Sequence, residues 1–445
     1  MDSMKITLLG CGYRSLLFAK IIAQNSSELG IDKLCFMDAN KTNLAVFGSM
    51  AKKITELLNS RIKFTTTDNF VEGFIGTDFI ISDLNICGDE RKIKDERIAL
   101  THGVIGHDTL PPMSLCTAAR TVPVLTKYCE YAKKYAKPDF RIINITEPVG
   151  LITEAMNRLG YDFVYGISDD AVSMFDSVTE LLSVKPGKLR SELFGLCRLS
   201  FFKDISLSGK SIMSQLTDAD VVYERSELGS FDRRLVKEKQ LIPCTSFAYY
   251  YDRDGVFERM SGVSETRAEK TSRLSHELVS LLSNADTEND FNSCVKIYDD
   301  YFSELEKIRV SVETGGNSIE IRHFSPFDKD TSGIAVMVLD FIRAISGMGD
   351  TDINLCVPNN GALPFLKSDD LTEITCTVSE NTVMPHRFEK FDSATAEIIM
   401  RVKLCERRAV SFLLTGDKRD AVSALALHPF VNSYTLALEL VEELF

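Results

Sequence analysis

The first part of the chain alternates short apolar runs with stretches of helical spacing. Lys5–Leu9 (KITLL) reads as a buried strand, followed by a glycine turn and a helix over Ser15–Ala23. Lys33–Met37 (KLCFM) predicts a second strand that ends at Asp38, and Asn43–Leu58 a second helix. Ile62–Thr65, Asp78–Leu84, Arg141–Ile145 and Phe163–Ile167 read as further strands. Val122–Tyr135 and Val149–Leu159 have helical spacing. Strands alternating with helices predict a parallel, doubly wound sheet. Right-handed crossovers then align the C-terminal strand ends along one edge, where such sheets bind ligands.

Past about Leu189 the pattern changes. Strands at Ser318–His323 and Leu371–Val378 mix with long helices at Ser332–Ile345, Ser393–Leu414 and Pro429–Leu444. The expected fold class is α/β. A Rossmann-like doubly wound parallel sheet occupies 1–188, and a C-terminal α+β domain for substrate and oligomer contacts occupies 189–445. Lys185-Pro186-Gly187-Lys188 marks the boundary, because Pro and Gly both interrupt regular structure.

Composition narrows the class. The chain has 445 residues, 51 Lys+Arg and 64 Asp+Glu, a net charge of −13, which disfavours nucleic acid and anionic membranes as partners. No apolar run reaches bilayer length, and the start shows no secretion leader, so a cytoplasmic protein is expected. The 11 Cys lack CxxC spacing, which fits reduced thiols better than disulfides or structural zinc.

The turn after the first strand is Gly10-Cys11-Gly12-Tyr13-Arg14-Ser15. Gly10 would make the tight turn, and Gly12 would let backbone approach a pyrophosphate at the next helix N-terminus. Ser15 replaces the third glycine of the fingerprint. Asp38 stands where a carboxylate would bind a ribose 2′-hydroxyl and disfavour a 2′-phosphate. The competing reading is a turn kept for helix–strand packing, with Asp38 capping Ala39–Asn40.

Longer stretches carry a family resemblance. They include Asp95-Glu96-Arg97-Ile98 running into His102-Gly103-Val104-Ile105-Gly106, and Ala119-Arg120-Thr121-Val122-Pro123-Val124. Asn144-Ile145-Thr146-Glu147-Pro148, Thr266-Arg267-Ala268-Glu269, Val357-Pro358-Asn359-Asn360-Gly361 and Leu414-Thr415-Gly416-Asp417 follow. In order and spacing the chain resembles glycoside hydrolase family 4, the NAD- and manganese-dependent glycosidases, nearly from end to end. The resemblance implies NAD as cofactor, a sugar or sugar phosphate as ligand, and a homodimer or homotetramer. It also implies an unusual chemistry, outside the two-carboxylate rule. NAD oxidises the sugar 3-hydroxyl, a metal polarises the oxygens, and a Tyr removes the C2 proton before elimination.

Carried across residue by residue, the resemblance meets departures. Ser168 stands at the metal Cys position and Arg198 at the metal His position, so the manganese site is not intact. A hydroxyl is a poorer ligand than a thiolate, and a guanidinium has no lone pair to offer. Thr331 stands at the catalytic Tyr position, Glu147 at a substrate Asn, and Asn85 at a phosphate-contacting Arg. Asp169 is the candidate acid. Gly10, Gly12, Asp38 and Asn144 are the implied cofactor contacts, and Glu147, Asn85 and Arg267 the implied substrate contacts. With the metal ligands gone, Arg198 is expected to pair with Asp169 or Glu147. Three functions follow: a homologue with lost or altered activity, an active NAD- and manganese-dependent glycosidase, or an NAD-linked sugar oxidoreductase without metal. His107 is a candidate to face the nicotinamide, against an ordinary solvated loop His. Cys11 and Cys197 are expected near the cleft as small buried hydrophobes. Glu90-Arg91-Lys92-Ile93-Lys94 reads as a solvated helix face.

Overall fold

The computed structural model describes residues 3–58, 61–86, 88–182, 188–313, 315, 319, 321–330 and 332–445. Among these the strands are β1 (Met4–Leu9), β2 (Ile31–Met37), β3 (Lys63–Thr67), β4 (Phe79–Ser82), β5 (Arg141–Asn144) and β6 (Val164–Gly166). They continue as β7 (Leu189–Leu196), β8 (Leu199–Leu207), β9 (Lys210–Ser211), β10 (Ile242–Pro243), β11 (Thr351–Pro358), β12 (Leu371–Ser379) and β13 (Thr382–Pro385). One sheet takes them in the order β10-β8-β7-β12-β11-β6-β5-β4-β1-β2-β3, with β13 beside β12 and β9 beside β8. From β6 to β3 every pairing is parallel. Beyond β6 every pairing is antiparallel. This is an α/β fold with a Rossmann-like N-terminal sheet.

The first helices are α1 (Ser15–Leu29), α2 (Lys41–Leu58), α3 (Phe70–Phe74), α4 (Asp89–Thr101), α5 (Met113–Tyr135), α6 (Val149–Arg158) and α7 (Asp169–Thr179). Neighbouring strand residues point to opposite faces. Ile6, Leu8, Ile81 and Ile143 join the core beneath α1, α2 and the helix Ile334–Ile345. Leu9, Ile80 and Ile142 join the core beneath α5, α6 and the C-terminal helices. The central strands are buried on both sides, which is why they read as continuous apolar runs. Each such buried aliphatic side chain contributes about 1.5–3 kcal/mol.

Several expectations change. The described residues of the expected strand Ser318–His323 form no strand. Helix α5 begins at Met113, well before the expected Val122, and carries Pro123 in its interior. Its buried stripe of Leu115, Cys116, Ala118, Val122 and Leu125 outweighs the amide that Pro123 lacks. The last helix is Tyr434–Leu444, and it turns Ala437, Leu440, Val441 and Leu444 inward. Most of the expected boundary segment lies outside the described residues, and the sheet continues on both sides of it through the pairing of Cys356 with Gly166. Ten described cysteines are free. Among the described residues no helix is long and apolar enough to cross a membrane.

Candidate functional site

The C-terminal ends of β1, β4, β5 and β6 meet at one edge of the sheet. The glycine turn follows β1. Gly10 has φ +97°, and a Cβ there would lie 2.1 Å from the Asp83 carbonyl oxygen. Only glycine lets the turn pass this close to the chain leaving β4. A Cβ on Gly12 would meet open space. Asp38 ends β2 half-exposed, with one carboxylate oxygen accepting from Cys11 N–H at 2.7 Å and the other from Asn40 N–H at 2.8 Å. It thus holds the glycine turn and also starts the Asx turn before α2. Cys11 is buried against Ser15 and Asn43.

Four carboxylates and two guanidiniums occupy the edge beyond. Asp83, just past β4, takes a two-point bond from Arg14, whose Nε–Oδ2 distance is 3.1 Å. Arg14 also donates to the Ile145 carbonyl at 3.3 Å and lies 3.7 Å from Asp169. Arg198 donates to Glu147, just past β5, and to Asp169, just past β6, at 2.9 Å. Its second terminal nitrogen is 3.7 Å from Asp170. The expected pairing of Arg198 is found with both carboxylates at once.

Local structure explains each position. Arg198 and Cys197 form the two-residue turn between β7 and β8, and Arg198 has φ +67°. That region suits Gly or Asn, and an Arg there costs about 1–2 kcal/mol. The bonds to Glu147 and Asp169 offset this strain. Ser168 caps α7, its hydroxyl accepting from Asp170 N–H. Asp169 and Asp170 fall in the first turn of α7, where the helix dipole favours negative charge.

Burial raises the pKa of Glu147 against the pull of Arg198. Asp169 is 44 % exposed at the rim. Partial burial works against its charge, but Arg198 and Arg14 outweigh that and hold its carboxyl below the usual range. Burial raises Asp170, which accepts from Ser246 N–H at 3.0 Å and Ser246 O–H at 2.9 Å. Beneath the cluster, buried Glu373 accepts from Ser200 at 2.7 Å, and burial pushes it up to about 8.

Other candidate residues fall around this centre. Asn85 is exposed on the segment after β4. Arg267 starts the helix Arg267–Ser283 and lies 3.3 Å from Asp108, which Lys92 also approaches at 3.4 Å. His107 is buried rather than solvated, accepts from Thr109, and burial lowers its pKa so that it stays neutral. Arg91 and Lys92 pair with Asp95 and Asp108, so the segment is not simply solvated. Asn144 is fully buried. Its amide donates to Thr153 at 3.0 Å and its oxygen accepts from Thr146 N–H, so its side chain braces the β5 end. Thr331 lies outside the described residues. Among the described residues no His, Cys, Asp and Glu cluster is arranged to hold a metal. Sequence reasoning missed Arg14, Asp83 and Asp170. The available signals were an Arg directly after the glycine turn and an Asp at the end of a buried strand.

Residues 5–184 match the family 4 glycosyl hydrolase model, and residues 193–431 match its C-terminal domain. The chain belongs to glycosyl hydrolase family 4. It is 24% identical over 421 residues to the 6-phospho-beta-glucosidase of Escherichia coli, covering 91% of this chain and 86% of that protein. It is 23% identical over 442 residues to the maltose-6′-phosphate glucosidase of Clostridium acetobutylicum, covering 95% and 92%. The 6-phospho-beta glucosidase of Thermotoga maritima, solved with manganese, NAD+ and glucose-6-phosphate, superposes with a TM-score of 0.82. That structure is 21% identical and covers 99% of this chain and 97% of its own, which establishes the shared family 4 fold.

Proposed function

We propose that this family 4 chain binds a nucleotide and a sugar phosphate but does not carry out metal-dependent glycoside cleavage. The observation that carries this reading is Arg198 between Glu147 and Asp169. A metal needs lone-pair donors, whereas a guanidinium is a permanent cation without one. The manganese named for the Thermotoga maritima enzyme does not fit these side chains. Arg198 supplies the positive charge that the neighbouring carboxylates need, and Ser168 is engaged as a helix cap. Thr331, at the position of the base, is a far weaker proton acceptor than a tyrosinate.

The adenosine end of NAD fits better. Gly12 leaves room for a pyrophosphate, and half-exposed Asp38 presents a carboxylate to a ribose. When fully bound, NAD supplies a hydride acceptor. Arg267 and Asn85 are the residues proposed to meet a sugar phosphate, whereas Asp169, held ionised beside Arg198 and Arg14, is not placed to donate a proton. Free thiols support a cytoplasmic setting.

Nitrophenyl 6-phosphoglucosides of both anomers, with NAD and Mn²⁺, test the reading. No nitrophenol release is expected, whereas glucose 6-phosphate binds and Arg267→Ala weakens it by about tenfold. Nitrophenol release that requires both NAD and Mn²⁺ would overturn the proposal.

A further inference from the structure

The parallel strands run β6-β5-β4-β1-β2-β3, so the winding reverses between β1 and β4. A dinucleotide crosses such a sheet at that point, one mononucleotide over β1 to β3 and the other over β4 to β6. The two halves of this edge are built differently. On the β1–β2 side, Gly12 faces open space and Asp38 is half-exposed. Among the described residues, the amides of Gly12, Tyr13 and Arg14 have no backbone acceptor. That side keeps free donors for a diphosphate and a carboxylate for a ribose.

The β4–β6 side is filled by side chains. The Arg14 guanidinium lies on Asp83 after β4, reaches the Ile145 carbonyl after β5 at 3.3 Å, and approaches Asp169 after β6 at 3.7 Å. Asp169 passes the chain of ion pairs on to Arg198 and Glu147. The Arg14 and Asp83 side chains are only 15% and 11% exposed, so this bridge is largely desolvated. We infer that the nucleotide site takes an adenosine diphosphate moiety and leaves the nicotinamide half of a dinucleotide unbound, because Arg14 spans the ends of β4 and β5 where that half would lie. Moving Arg14 aside would strand the Asp83 carboxylate without its partner, which is costly for a buried charge. The inference rests on the reading that the glycine turn binds a nucleotide.

Calorimetric titration of the full-length chain with NAD and, separately, with ADP-ribose tests it. The two dissociation constants are expected to agree within about threefold, because the nicotinamide adds no contact. A preference for NAD beyond that overturns the inference and leaves nucleotide binding standing. Absence of binding by both ligands overturns the nucleotide reading and the inference with it. Arg14→Ala/Asp83→Ala removes both charges, so no lone buried carboxylate remains. In that variant the preference for NAD over ADP-ribose should rise by about tenfold. An unchanged ratio in a folded double variant overturns the assignment to Arg14.

Discussion

Arg198 combines a left-handed backbone, at φ +67°, with ion pairs to two carboxylates. The two features pull in opposite directions and can be separated. Arg198→Ala keeps the backbone strain and leaves Glu147 unpaired, and should destabilise the chain by about 3 kcal/mol in urea unfolding. Arg198→Gly loses the same pairs but relieves the backbone, and should be about 1 kcal/mol more stable than the Ala variant. Equal stabilities would mean that the turn is not strained. Glu373 offers a second test. Burial raises its folded pKa to about 8, whereas the unfolded side chain titrates near its ordinary value of about 4.3. The folded state therefore holds a proton that the unfolded state releases. The stability from this group is complete below about pH 4.3 and is lost as pH rises through about 8. Glu373→Gln should abolish that decline and gain on the order of 4 kcal/mol over wild type at pH 8. Parallel stability–pH curves for the two proteins would contradict the raised value.

The glycine turn between β1 and α1 was legible because its chemistry is local. A buried run, two glycines and a helical stretch can be read without knowing the partners. Its tightest contact, Gly10 against the Asp83 carbonyl, was not legible, because it joins segments far apart in sequence. Arg14 is not legible for the same reason: its role appears only when β4 and β5 bring Asp83 and Ile145 beneath it. Gly10→Ala meets both a positive φ and a 2.1 Å approach, so it should cost at least about 2 kcal/mol and weaken nucleotide binding. Thermal unfolding and calorimetry check this, and a variant with wild-type stability and binding would contradict the turn geometry. The expected strand at Ser318–His323 shows the opposite failure. A short apolar pattern suggested a strand, but a strand needs an edge to pair with, and pairing is not a local property.

At the scale of the molecule, the pattern predicted the parallel half of the sheet well, because strands buried on both faces are nearly continuous apolar runs. It did not reveal that β11 joins β6 and extends the same sheet through β12, β7 and β8. The ion pairs cross that junction too, since Arg198 comes from the β7–β8 turn while Glu147 and Asp169 follow β5 and β6. Shared strands and shared ion pairs should make the chain unfold as one unit, with a single calorimetric transition. Two well-separated transitions would show that the halves are independent. The central claim is that an internal cation has replaced the metal. Electron paramagnetic resonance of Mn²⁺, titrated with wild-type chain in the presence of NAD and glucose 6-phosphate, tests it most directly. The account predicts that the spectrum stays that of the free ion, and one equivalent of tightly bound Mn²⁺ would contradict it.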